Sequence, residues 1–281
     1  MPNQNNKSLN AAKKNKNDEF YTHYEDVEKE LNNYIEYFKG KNIYMPCDTD
    51  QSAFWQYFRD NFNTIQPESI IASCKGEKYG DVYLMNKHGD ITKLKSEDNC
   101  DFITAPTCHD LMERIDIVIT NPPFSLFRPF LEEILTYDKK FLIIGNQNAF
   151  KYKDVFPLFK ENIIWTGYNM VKEFTQPDGS IKKFGNVCWF TNLPTTKRNQ
   201  ELKLTKEYNP TDYPDIDNYK GAINVNRLVD IPKDWEGLMG VPITYIDKHC
   251  PTQFEIVDCC TAPIVNRIAK YSRIIIKKIS N

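Results

Sequence analysis

No apolar run in the 281-residue chain approaches the ~20 residues that a membrane-crossing helix needs. The first residues are rich in Asn and Lys and carry no apolar core, so they do not read as a secretory signal, and a cytoplasmic protein without a membrane partner is expected. Neither charge dominates: 36 basic against 38 acidic side chains leave a net −2. That excludes a binder whose whole surface is basic, though not one with a local basic face. Neither Cys-x-x-Cys nor His-x-x-x-His occurs among the eight cysteines and four histidines, and no metal site is expected. Cys259 and Cys260 are adjacent, which suits neither a common disulfide nor a zinc knuckle, and the cysteines read as reduced, mostly buried thiols. Cys108 and His109 are neighbours in sequence, a poor arrangement for nucleophile and base. No internal repeat is visible.

The chain does hold enough apolar material, 41% hydrophobic with 13% aromatic, for a sizeable core, and its length suits roughly two domains or one with an appendage. Residues 1–17 contain Lys7, Lys13, Lys14 and Lys16 and no acid, which reads as a disordered basic arm. Val27, Leu31, Tyr34, Ile35 and Phe38 recur at helical spacing and Gly40 ends that helix. Strands are expected at Asn42 to Cys47, Ser69 to Cys74, Asp101 to Ile103, Asp116 to Thr120, Phe141 to Gly145 and Ile163 to Gly167. Hairpins are expected over 81–95 and over 171–190, the second turning at Pro177-Asp178-Gly179. Helices fill the gaps: one capped by Ser52, one over Pro106 to Arg114, one starting at Ser125 and one over Tyr152 to Phe159. This alternation predicts an α/β domain over 18–192 with a mostly parallel sheet and an antiparallel hairpin edge. From 193 to 281 seven prolines break the pattern into short pieces, which suggests a separate loop-rich region.

The most informative residues are Asn121-Pro122-Pro123-Phe124, directly after the apolar strand. Two prolines pin the chain in extended geometry and supply no N–H, so the Asn121 side chain and the Pro122 carbonyl become fixed acceptors beside an aromatic face. That set suits a planar ring bearing an amino group. Asn-Pro-Pro-Phe after such a strand resembles the catalytic motif of the amino methyltransferases, which methylate the exocyclic amine of adenine in DNA with S-adenosylmethionine. Asp18 to Thr22, Asp116 to Arg128, Asp217-Asn218-Tyr219, Gly240 to Tyr245 and Gln253 to Ile256 together resemble the adenine-specific family that includes the EcoRI modification enzyme, over about residues 18–281.

The resemblance implies a Rossmann-like class I methyltransferase domain over 18–192 and a target-recognition, DNA-binding region over 193–281. It implies catalytic roles for Asn121, Pro122, Pro123 and Phe124, and cofactor contacts from Phe20, Tyr21, Thr22, Cys47, Asp48, Asp101 and Phe102. The stretch Tyr44 to Ser52 lacks the glycines that similar enzymes carry there. A flipped adenine needs a second aromatic wall, and Trp189 or Phe190 is the candidate. Arg267, Lys270, Arg273, Lys277 and Lys278, with no acid among residues 264–281, are candidate phosphate contacts. The expected partner is double-stranded DNA, with a cognate restriction endonuclease on the same site as a further one, and a monomer suffices. Alternatives are methylation of RNA adenine or of a protein glutamine, or a nucleic-acid-binding relative that has lost catalysis. Phe124 in place of Tyr speaks against the glutamine reading, and the glycine-free loop keeps the last one open.

Overall fold

Short apolar runs ended by turn residues form the inner strands of this chain, and the longer amphipathic stretches form helices that cover them. The computed structural model describes residues 19–279, and the basic arm expected over 1–17 lies outside them. In chain order the first elements are β1 (Tyr21–Thr22), α1 (Tyr24–Leu31), α2 (Ile35–Phe38), β2 (Asn42–Pro46), α3 (Ala53–Asp60), α4 (Phe62–Ile65) and β3 (Ser69–Cys74). Next come β4 (Asp81–Asn86), β5 (Ile91–Lys95), α5 (Pro106–Arg114), β6 (Ile117–Thr120), α6 (Phe127–Thr136), β7 (Lys140–Asn146) and α7 (Phe156–Lys160). The remaining strands, interspersed with short 3-10 turns, are β8 (Trp165–Thr175), β9 (Ile181–Thr191), β10 (Ala222–Asn224), β11 (Leu238–Pro242), β12 (Phe254–Cys260), β13 (Ile264–Val265), β14 (Ile268–Ala269) and β15 (Arg273–Lys278).

The chain divides into two compact units, one of residues up to Gln147 with Gly167–Leu193, the other of Asn148–Thr166 with Pro194 onwards. The first holds a nine-stranded sheet in the order β1-β8-β9-β7-β6-β2-β3-β4-β5. Its centre is parallel, β7-β6-β2-β3, and both flanks are antiparallel. β2 lies between β3 and β6, so chain order reverses there and a crevice opens beyond the carboxyl ends of β2 and β6. Ser52 caps α3 by accepting from the Trp55 amide at 3.2 Å, and the buried face of α3 presents Phe54, Trp55, Tyr57 and Phe58.

Three expectations change. Asp101 to Ile103 is not a strand: Asp101 Oδ1 accepts from the amides of Ile103 and Thr104, an Asx turn that competes with sheet pairing. The strand expected over Ile163 to Gly167 starts only at Trp165 and continues through the Val171 hairpin arm as one strand, β8, joined to β9 through Gln176–Ser180. The expected single helix over 24–38 breaks at Asn33, whose Nδ2 donates to the carbonyls of Lys29 and Glu30.

Glu30 is fully buried on α1 and holds that helix to β8. Its carboxylate accepts from the Tyr168 amide at 2.7 Å, the Asn169 amide at 2.8 Å, the Asn169 side chain at 2.9 Å and the Tyr34 hydroxyl at 3.1 Å. Burial pushes its pKa up, and the hydrogen bonds act against that. Gly167 makes room for it, since a Cβ there would lie 2.2 Å from Glu30 Oε1. Pairing of β1 with Phe174 and Thr175 then carries Phe20 to the end of β6. Glu30→Ala strands several buried donors at once. We expect a loss of about 3 kcal/mol or more in urea unfolding, and a loss under 1 kcal/mol would contradict this role.

The second unit is built on the sheet β10-β11-β15-β12. β15 is inner in it, and Ile274, Ile275 and Ile276 are all fully buried, so both faces of the strand are covered. β13 and β14 form a separate small hairpin.

Candidate active site

β6 is buried along its whole length and stops at the two prolines, which leaves Thr120 and Asn121 at the mouth of the crevice. The Asn121 Nδ2 donates to the Phe20 carbonyl at 2.6 Å. This fixes which way the amide faces, and Oδ1 is left buried with no hydrogen-bond partner among the described residues. An orphaned buried acceptor is costly unless a ligand uses it.

Asp48 follows β2 across the same crevice and is buried. Thr120 Oγ1 lies 2.9 Å from Asp48 Oδ2 and also bonds the Pro46 carbonyl. Ser52 adds a second hydroxyl to the carboxyl. Desolvation outweighs both, and the Asp48 pKa is pushed up to about 7. Thr22 Oγ1, on the edge strand β1, is likewise buried without a partner among the described residues. Two buried oxygens without partners and an acid without an ion pair, among the described residues, make a set suited to an ammonium-bearing ligand and an amine.

The loop after β2 turns without glycine because Cys47 itself adopts the left-handed conformation, φ +69°. The residue as a whole is exposed, so removing its side chain opens no cavity in the core. Cys47→Gly should hold or raise stability by up to about 1 kcal/mol. Cys47→Val should cost more than about 1 kcal/mol, since a β-branched residue tolerates that φ poorly. Thermal unfolding of the two variants checks the pair, and equal midpoints would contradict the backbone argument.

Four phenylalanines cluster beside Asn121. Phe20, Phe124 and Phe184 lie 5.1 to 5.4 Å apart, and Phe174 closes the group from the core side at 5.6 to 6.1 Å. Phe20, Phe124 and Phe184 are half-buried, whereas Phe174 is fully buried. Phe184 is absent from the sequence-derived candidates; its signal is an aromatic on the hairpin arm upstream of Val187.

Several candidates stand elsewhere. Trp189 and Phe190 are both fully buried, packed on Phe54 and Phe127 respectively. Phe102 is 3% exposed and stacks on Phe130 at 4.3 Å, so its ring belongs to the core. Asp101 is bridged by Lys75 at 2.6 Å, and burial notwithstanding, that cation and the turn hydrogen bonds hold its pKa low. Tyr21 is exposed with its hydroxyl on Glu19. Arg273 is not a surface phosphate contact: it is 7% exposed and donates to Asn224 Oδ1 and to the Tyr271 carbonyl. Lys278 is engaged by the Lys233 carbonyl, while Arg267, Lys270 and Lys277 are exposed. No three metal-binding side chains converge among the described residues, and no helix there is long and apolar enough to cross a membrane.

Residues 8–278 match the family model described as adenine-specific methyltransferase EcoRI. The chain is 41% identical to the type II methyltransferase M.EcoRI of Escherichia coli, over 90% of this chain and 89% of that protein. It is 36% identical to the type II methyltransferase M.MpnI of Mycoplasma pneumoniae, over 91% and 86% of the two chains. With the type II methyltransferase M.MgeORF184P of Mycoplasma genitalium it shares 34% identity over 96% and 98%. No solved structure matches.

Proposed function

The chain belongs to the EcoRI family of adenine-specific methyltransferases, and from that premise we propose that it moves a methyl group from S-adenosylmethionine to N6 of an adenine flipped out of duplex DNA. The observation that carries the proposal is the Asn121 amide, whose Nδ2 is held by the Phe20 carbonyl while its Oδ1 is left bare and buried at the end of β6.

The residues fit the cofactor. Asp48 offers a carboxylate to its amino group at the switch point, and the buried Thr22 hydroxyl offers a further polar contact. When bound, S-adenosylmethionine supplies the methyl carbon as an electrophile on a sulfonium sulfur. Asn121 Oδ1 and the Pro122 carbonyl accept the two N6 protons of adenine and draw its lone pair out of the ring. As nitrogen bonds the incoming carbon, the carbon–sulfur bond breaks and the sulfur leaves as a neutral thioether; positive charge grows on N6, and the same two oxygens stabilise it without reorganising. One N6 proton then leaves to solvent, and neutral N6-methyladenine results. No general base is required before transfer.

Phe124 and Phe184 are the proposed walls of the base slot, in place of Trp189 and Phe190. Their rings pack on each other and on Phe20, so an incoming base must part them and in return gains stacking on both faces. The unit rich in short strands from Pro194 onwards is proposed to read the DNA, the enzyme to act as a monomer, and a restriction endonuclease for the same sequence to be its counterpart.

The test is transfer of labelled methyl from S-adenosylmethionine to unmethylated duplex DNA, followed by nucleoside analysis. Label on N6-methyladenine is the expected result. Folded protein that labels no duplex would overturn the proposal.

A further inference from the structure

The Asp217-Asn218-Tyr219 stretch has no part in the chemistry above, yet it is tied to one feature of the second unit. Asn218 Oδ1 accepts from the Ile264 amide at 2.8 Å, and the Asp217 amide donates to the Ile264 carbonyl at 2.7 Å. Asn218 Nδ2 donates to the Ala262 carbonyl at 2.9 Å, and Asp217 Oδ2 accepts from the Arg267 amide at 2.8 Å. These residues therefore clamp the β13–β14 hairpin at its base and at its tip. Val265, 3% exposed, anchors it against Ile216, Ala222 and Ile275.

The tip is Asn266-Arg267, both in the left-handed region at φ +51° and +64°. Consecutive positive φ values are the mark of the tight two-residue turn whose twist matches its strands. Around this rigid ribbon the surface is apolar and cationic. Ile268 is 59% exposed and Tyr271 is 91% exposed, while Arg267 and Lys270 make no ion pair among the described residues. No acidic residue occurs in the sequence after Asp258. A ribbon with free cations, and with an amide and a guanidinium at its tip, matches the polyanionic walls and polar base edges of a duplex groove.

The geometry points to the 264–271 hairpin as the specificity-determining probe of this enzyme, with Asn266 and Arg267 contacting base edges in a DNA groove and Lys270 a flanking phosphate. This inference rests on the DNA-methylating reading. Arg267 with its planar fork suits a guanine edge, and Asn266 an adenine edge. Ile268 and Tyr271 pack on the groove wall beside them.

The experiment measures methyl transfer to a duplex library randomised around the methylated adenine, with positions of N6-methyladenine read by sequencing. Asn266→Gly and Arg267→Gly remove the side chains without straining the turn, because glycine accepts positive φ. Each is expected to lower kcat/KM on the preferred site about 10- to 100-fold and to relax the preference at one base pair. Lys270→Ala is expected to weaken binding to all sequences alike and to reduce the salt slope by about one ion. Cofactor binding and thermal unfolding of each variant should match the parent, which separates a lost contact from a lost fold. A full-rate variant at position 267 with an unchanged sequence preference would overturn the hairpin assignment. A parent protein that methylates no member of the library would instead overturn the functional reading beneath it.

Discussion

Asn121→Ala is expected to lose methyl transfer by about 10³-fold while binding cofactor and duplex DNA close to normally. The size follows from what the side chain does. Oδ1 meets charge that exists only in the transition state, so its loss falls on kcat rather than on KM. Asn121→Asp separates orientation from mere presence of an acceptor. An ionised carboxylate would set an oxygen against the Phe20 carbonyl, where the wild-type amide donates at 2.6 Å. The introduced group can restore that bond only as a neutral carboxyl. At saturating cofactor, the residual activity of Asn121→Asp should therefore rise as pH falls, with the wild type as reference. A variant whose activity is flat or falls over the same range would show that the Phe20 contact does not set the catalytic geometry.

The elements that carry this site were legible because their causes are local. A four-residue apolar strand stopped by Pro122 and Pro123, a strand over Ser69–Cys74 and a proline-started helix over Pro106–Arg114 are each written in a few consecutive residues. What was not legible depends on which faces are covered. β9 is buried without alternation from Val187 to Thr191, so period-two reading cannot say which of its aromatics faces a pocket, and Trp189 and Phe190 are equally buried. Phe184 lies on the half of β9 that is less covered, and only the fold brings it to Phe124. Charge misleads in the same way. Glu30 and Arg273 look like surface groups in the sequence, yet each lies buried with polar partners contributed by residues far along the chain. The short run Asp101 to Ile103 was apolar enough for a strand, but the acceptors Asn99 and Asp101 favour local turns.

Asp48 gives the second large effect, and its direction follows from counting protons. Thr120 has one hydroxyl hydrogen and two neighbouring acceptors, the Pro46 carbonyl and Asp48 Oδ2. When the carbonyl takes that hydrogen, a bond between Thr120 and Asp48 requires the proton to sit on the carboxyl. Burial without a cation favours the same state, and the pKa near 7 expresses it. A carboxyl whose folded pKa is raised contributes stability that is full below its unfolded value near 4 and is lost as pH rises through the folded value. The protein without cofactor should therefore lose stability between about pH 4 and 7, and Asp48→Asn should gain about 1–3 kcal/mol at pH 8. Cofactor binding runs the opposite way. An ammonium group needs the carboxylate, so binding must expel the proton, and affinity for S-adenosylmethionine should rise up to about tenfold per pH unit from pH 5.5 towards 7. The ligand's own amino group keeps its charge below about 7.7, which leaves that window clean. Calorimetry in buffers of different ionisation enthalpy should report close to one proton released at pH 6. In Asp48→Asn the release and the pH dependence should both vanish and affinity should fall about 10- to 100-fold, the worth of a charged hydrogen bond. Binding that is pH-independent in the parent protein, with no proton released, would remove Asp48 from the cofactor site and leave its buried acid as a cost to the fold alone.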